Sequence, residues 1–323
     1  MGGTNAAGNK SAWISSAAAT GERFNIGTIG SLNPAWLAVD SGGVVSNVNF
    51  FGYGTTLVYV TNGGALYHNG LIIGRNGNGS QLLVAGVDGA GNKATVIGFT
   101  NQGITVGGGT QTAAGPAPGS NNVARIDAGG LVTNSWICVG QDTNSYNNAL
   151  IITNGGQVYT GNGSGFIAAG GTFQGLYIAY AAYCYSNSAT LGGGTNTSWL
   201  NLGGGNLTVG NGGVGVSNNT MTVLNGGILT NAASIILDGF DSTLNLNGAV
   251  VAAGANGNLI ATNSTSLNAT NFLQVGGVVI DSVTYAVTNE LPLLQDPGSP
   301  GGGLTKLGAV SYTHLTLPTI YSV

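Results

Sequence analysis

Hydrophobic and polar positions alternate along this chain in short bursts, each broken by asparagine and glycine. Leu57-Val-Tyr-Val-Thr-Asn62-Gly63-Gly64-Ala-Leu-Tyr-His-Asn69 is one burst; Leu150-Ile-Ile-Thr-Asn154-Gly155-Gly156-Gln-Val-Tyr-Thr and Met221-Thr-Val-Leu-Asn225-Gly226-Gly227-Ile-Leu-Thr-Asn231 repeat it. A period of two is the strand pattern, and glycine supplies the positive φ that a sharp corner needs. No 3.6-residue stripe survives ten residues, so the pattern argues against helix. The alternation predicts which side chains face in. Val58, Leu150 and Met221, then Val60, Ile152 and Val223, then Leu66, Val158 and Leu229 form the expected core, with Tyr59, Ile151 and Thr222 outside. Parity also turns Asn62, Asn154 and Asn225 inward, where stacked amides can bond along an axis, but Ser41, Val106 and Ala128 hold that position in intervening rungs and break any ladder.

The bursts recur. Gly43, Gly64, Gly86, Gly108 and Gly130 follow one another every 21 or 22 residues, and Gly156, Gly205, Gly227, Gly248 and Gly277 continue the series less evenly. The wide gap between Gly156 and Gly205 is read as two rungs with a weak corner near Ala181. Three short strands and three corners fill about 22 residues, one turn of a parallel β-helix. The expected architecture is all-β: a single right-handed parallel β-helix of about 10–12 rungs spanning residues 1–289. Residues 109–122, with Pro116 and Pro118, are expected as a loop, and residues 290–309 as a linker and the start of a further repeat. Residues 165–184 are glycine-interrupted and alternate at Leu176, Ile178 and Tyr180, which predicts strands, not a membrane helix.

Composition sharpens this. Charged residues are only 5% of the 323, and glycine accounts for 60, so the surface is built from Asn, Ser, Thr and Gly. Uncharged polar surfaces suit stacked strands, where like charges on successive rungs would repel, and suit an extracellular setting. Six basic residues and a net charge of −4 exclude a phosphate-neutralising patch, and with it nucleic acid as a partner. No apolar leader follows Met1; with an exported composition, this suggests that Met1 is not the natural start.

The chemistry-bearing residues are few. His68 reads as an exposed turn residue. Cys138 and Cys184 lack metal-ligand spacing and read as small buried apolar groups, with a bridge between stacked rungs as the alternative. Asp238 and Asp241 are the nearest acidic pair, with no base beside them in sequence, and Asp88-Gly-Ala-Gly-Asn92 lacks the repetition of calcium-binding turns. Tyr177, Tyr180, Tyr183 and Tyr185 form a group that could stack on sugars or on each other. Ice recognition, a weaker third reading, needs a flat, regular Thr-x-Thr array, and Thr195-Asn-Thr197 stands nearly alone. No catalytic, cofactor-binding or metal residue is assigned.

Gly276-Gly277-Val-Val-Ile280-Asp281, Pro292-Leu-Leu and Gly302-Gly-Leu-Thr-Lys306-Leu-Gly-Ala309 together resemble the autotransporter-associated β-strand repeat. The resemblance implies a passenger-type right-handed β-helix from a large bacterial surface or secreted protein, with a membrane barrel or sorting tag further downstream. It implies no catalytic residues. Residues 310–323, from Val310-Ser-Tyr-Thr-His314 on, back-translate to something similar to a sequencing adapter, so they are set aside as a scar, His314 included, with the gene read as truncated near Ala309. The expected role is a non-enzymatic extracellular or outer-membrane-surface β-helix, structural or adhesive, with extracellular glycans or neighbouring cells as partners. A polysaccharide-binding or polysaccharide-degrading β-helix, lyase or glycoside hydrolase, is the alternative. The membrane enters only through a downstream anchor or barrel, and no cofactor is expected.

Overall fold

The structure, a computed structural model, describes residues 12–14, 23–27, 34–99, 102–109, 118–161, 175–179, 182–211, 214–262 and 268–308. These residues form a parallel β-solenoid without a helix. Every strand-to-strand pairing is parallel, and each strand pairs with its equivalent on the coil before and the coil after. No helix among the described residues is long and apolar enough to cross a membrane.

Each coil contributes to three faces. The first is a ten-stranded sheet that begins with Ala35–Val39 and Thr56–Thr61 and ends with Thr270–Leu273 and Leu294–Gln295. The chain then turns through the Asn-Gly-Gly corner onto a second face, which includes Leu131–Thr133, Gln157–Tyr159 and Ser198–Asn201. A gentler bend leads to the third, with Ile104–Val106, Ile137–Val139 and Gly175–Ile178. The long strands Val44–Tyr53 and Ala65–Arg75 run across that bend, so the second and third faces join into one sheet.

The alternation placed the core correctly. Val58, Val60, Leu66, Leu150, Ile152, Val158, Met221, Val223 and Leu229 are all buried and belong to one continuous cluster through the coils. Tyr59, Ile151 and Thr222 point out and are half-covered by their neighbours. The corner asparagines depart from parity. Asn62 and Asn154 take left-handed φ values of 44° and 47°, which breaks the alternation, and Asn62 and Asn225 are exposed instead of inward.

The rung marks also need correction. Ala35 pairs with Thr56 (21 positions on by subtraction), but Gln81 pairs with Val123 (42 on) and Ala149 with Ser188 (39 on). Gly108 therefore follows a third-face strand and Gly205 precedes one, so neither is an Asn-Gly-Gly corner. The spacing near 22 describes the shortest coils only, because the larger insertions leave at corners, with small register shifts inside three of the strand pairings. The solenoid also runs past residue 289: Leu294–Gln295 continues the first face, and Leu304–Leu307 pairs with Val278–Asp281 on the second. Of the predicted 109–122 loop, residues 110–117 lie outside the described residues, and Ser120 to Asn122 belong to a corner. The proposed scar from residue 310 on lies outside them too, as do Tyr180 and Ala181.

Candidate functional site

The richest polar structure lies at the third corner, where the chain returns to the first face. There Gly79, Asn121, Asn147, Ser186, Asn218, Asp241 and Asn268 all adopt left-handed φ between 51° and 75°. Asn and Asp reach this region more readily than other residues with a Cβ, so a polar residue at this point is a local conformational signal. The turn drives the following residue inward. Ser80, Asn122, Asn148, Asn187 and Asn219 are buried there, one per coil. The Asn122 amide donates to Asn148 Oδ1 at 2.9 Å, Asn148 to Asn187 at 3.0 Å, and Asn187 to Asn219 at 3.4 Å. Each Oδ1 also accepts a backbone N–H from the coil before, and Ser80 and Thr56 extend the chain toward the N-terminal coils. The second N–H of each amide reaches a corner carbonyl: Gly77, Gly119, Ser145 and Cys184 for Asn122, Asn148, Asn187 and Asn219.

Outside this ladder runs a second column, fixed by parallel bridges from Asn78 to Ser120, Tyr146, Tyr185, Ser217 and Phe240. Tyr146 and Tyr185 stack with ring centroids 5.0 Å apart and planes within 1°. Tyr185 is 40% and Phe240 46% exposed, and Tyr183 and Val214 beside them are 50% and 72% exposed. The anticipated tyrosine group is thus divided. Tyr177 packs on Trp136 and Cys138 outside the third face, while Tyr183 and Tyr185 stand on the corner.

His68 is the largest correction. It is completely buried, facing inward on the strand Ala65–Arg75, with Nε2 3.1 Å from Ser135 Oγ. Ser135 Oγ donates to the Thr133 carbonyl, so the imidazole is the donor to Ser135 and carries its proton on Nε2. The coil between them contributes Gly98, where a Cβ would lie 2.7 Å from Ser135 Oγ. Nδ1 has no partner among the described residues, and burial pushes the imidazole pKa down to about 3. A fully enclosed imidazole cannot meet a substrate.

Neither cysteine is in a disulfide, and both are buried. Cys138 is covered by Trp136, and burial, assisted by nearby Cys184, raises its thiol well above the ordinary range. Cys184 Sγ donates to the Asp142 carbonyl at 3.0 Å. The carboxylates serve local turns. Asp88 accepts from Ala90, Asn92 and the Asn92 amide; Asp281 accepts from Val283; Asp296 accepts from Gly298 and Gln274. Asp127 pairs with Arg125 at 2.7 Å. At Asp40 slight burial acts upward, yet hydrogen bonds from Thr61, Asn62 and Ser41 outweigh it and hold the carboxyl below its usual value. Among the described residues no three His, Cys, Asp or Glu side chains gather as a metal site. Asp238 is buried and Asp241 exposed, so the nearest acidic pair faces different surroundings.

Two features escaped the sequence reading. A shallow open groove of about 440 Å³ follows the first corner near the C-terminal coils, lined by Asn225, Gly248, Gly276, Gly277 and Gly303. On the first face, Ser188, Thr220, Thr243 and Thr270 align in one outward column, and Thr190, Thr222 and Asn245 in the next. These columns lie apart from Thr195 and Thr197, which stand at the first corner; Ala149 and Ile151 end the columns on one side, and Phe272 ends the second on the other. No family model, no curated protein and no solved structure matches the chain.

Proposed function

We propose that this protein is a non-enzymatic, extracellular shaft of the bacterial cell surface, adhesive or structural, of the autotransporter-passenger type. The observation that carries the reading is the division between interior and surface. One uninterrupted apolar column, stiffened by the asparagine ladder, occupies the inside of the coils. The outside carries few charges, and among the described residues Asp88, Asp281 and Asp296 bond within turns and no acidic cluster gathers as a metal site. A rigid object with a sparsely charged outer skin suits presentation and contact. The stretch that carries the repeat resemblance, Gly302-Gly-Leu-Thr-Lys-Leu, stacks on Gly276-Gly-Val-Val-Ile-Asp as the other coils stack on theirs, so it continues the shaft. The test is to coat surfaces with the purified chain and measure cell attachment, and to incubate it with neutral and acidic polysaccharides. Attachment above an uncoated control, without new reducing ends or unsaturated products, is expected. Time-dependent product release would overturn the reading in favour of a lyase or hydrolase.

A further inference from the structure

We infer that the N-terminal half of the first face is a self-association surface, on which two copies of this chain pair face to face with their coils running in opposite directions. The inference is independent of the adhesive reading and concerns how two shafts join.

The first face changes character halfway along. Over the later coils its two outward columns carry hydroxyls and an amide, from Ser188 and Thr190 to Thr243 and Asn245. Over the five coils before them the same columns read Trp36, Leu57, Gln81, Val123, Ala149 and Ala38, Tyr59, Leu83, Arg125, Ile151. Eight of these ten are apolar, and Trp36 is 68% exposed. Arg125 is paired with Asp127 at 2.7 Å, which mutes its charge. A contiguous apolar surface of this kind marks a contact, because water gains by leaving it. Five coils about 4.8 Å apart and strands of up to six residues make a face of about 24 Å by 20 Å, so two copies would bury roughly 1,000 Å², enough for a specific interface.

The order of residues selects the partner and its direction. A two-fold axis along the strand Gln81–Ala85 reverses the coil order and lays each column over itself. Trp36, the largest of the ten, then meets Ala149 of the second copy, and Ala38 meets Ile151. Leu57 meets Val123, and Leu83 meets its own equivalent, so the middle is aliphatic. Large over small keeps the gap even, as sheets packed about 10 Å apart require. Tyr59 sets its ring against the Arg125 guanidinium, twice by symmetry. The Gln81 amides, each donor and acceptor, face one another. The other two-fold, along the coil axis, would lay Arg125 on Arg125 and Asp127 on Val123, so charge selects the first. Beyond Ala149 and Ile151 the hydroxyl columns begin, and the overlap stops where water satisfies the surface.

Sedimentation equilibrium of the full chain tests this. A monomer–dimer equilibrium with a dissociation constant in about the micromolar range is expected for a face of this size. Tyr59→Lys, which opposes like charges at Arg125, should weaken it about tenfold or more, whereas Tyr59→Glu, which offers Arg125 a carboxylate, should keep it within about threefold. Thr222→Lys, on the hydroxyl half, should change nothing, and circular dichroism should show that all three variants fold. Direction is read by cross-linking. A chain carrying both Trp36→Cys and Ala149→Cys should form a covalent dimer under mild oxidation, and either substitution alone should not. Within one chain the two positions are four coils apart, about 19 Å, too far for an internal bridge. The natural cysteines are buried. A monomer at all concentrations, assemblies larger than a dimer, equal losses in the two Tyr59 variants, or a covalent dimer from Trp36→Cys alone would overturn the inference.

Discussion

At the scale of single residues, His68 shows how far one side chain can depart from its local sequence. Its neighbours Tyr67 and Asn69 and the following Gly70 suggest a turn, yet the strand continues and carries the imidazole into the core. Protonation would put an N–H on Nδ1, which has no acceptor among the described residues. The folded-state pKa of about 3 lies below the unfolded value of 6.5. Stability is therefore full above about pH 6.5 and is lost as the pH falls from there toward 3. Between pH 7 and pH 5 the loss should be about 2 kcal/mol. Urea midpoints at the two pH values should show it, and His68→Gln should flatten the dependence. An unchanged slope in that variant would refute the assignment. The inward position was legible in the alternation from Leu66; the glycine at position 98, which makes room for Ser135, was not, because it lies on the adjoining coil.

At the scale of elements, strands were legible and corners were only half so. Two-residue alternation gave the core of every clean repeat, since inward burial is a local consequence of the pleat. Asn62 and Asn154 were misread because their own left-handed φ breaks the alternation at the corner. The same device appears in the sequence as Ser120-Asn-Asn, Tyr146-Asn-Asn, Tyr185-Ser-Asn and Ser217-Asn-Asn, each a left-handed residue followed by an inward one. Unequal coil lengths hid that series, as they hid the Thr220 and Thr243 column. The two kinds of asparagine should respond differently to substitution. Asn148→Leu strips the acceptor from the buried N–H of Asn122 and should cost roughly 2–5 kcal/mol. Asn62→Gly, at an exposed left-handed corner, should stay within about 1 kcal/mol. Denaturant titration of both variants checks the contrast, and equal losses would contradict it.

At the scale of the whole molecule, contacts reach from each coil to its neighbours, so damage should remain local. Gly130 sits where a Cβ would meet the Val84 carbonyl oxygen at 2.2 Å, on the contact between two coils. Gly130→Ala should open the stack there. Hydrogen exchange should quicken near Val84, Ile126 and Val132, while the coils beyond Thr220 keep their protection. Gly89→Ala, with nothing within 4 Å of the added carbon, should leave exchange unchanged. A uniform loss of protection along the chain would instead indicate one cooperative unit. The solenoid class was visible in the sequence because every coil solves the same packing problem. The surface columns were less visible, because their aromatic and hydroxyl residues stand dozens of positions apart.

The changing coil length has a consequence for growth. Because extra residues depart at corners while strands stay paired, the molecule measures distance in coils and not in amino acids. Ten first-face strands fix a span of roughly 45 Å, whether a coil takes 21 positions or 42. A corner insertion therefore behaves like a bead tied to a ruler: it decorates the edge and leaves the graduations where they were. Reach and decoration can evolve separately, reach by adding whole coils and decoration by lengthening a turn.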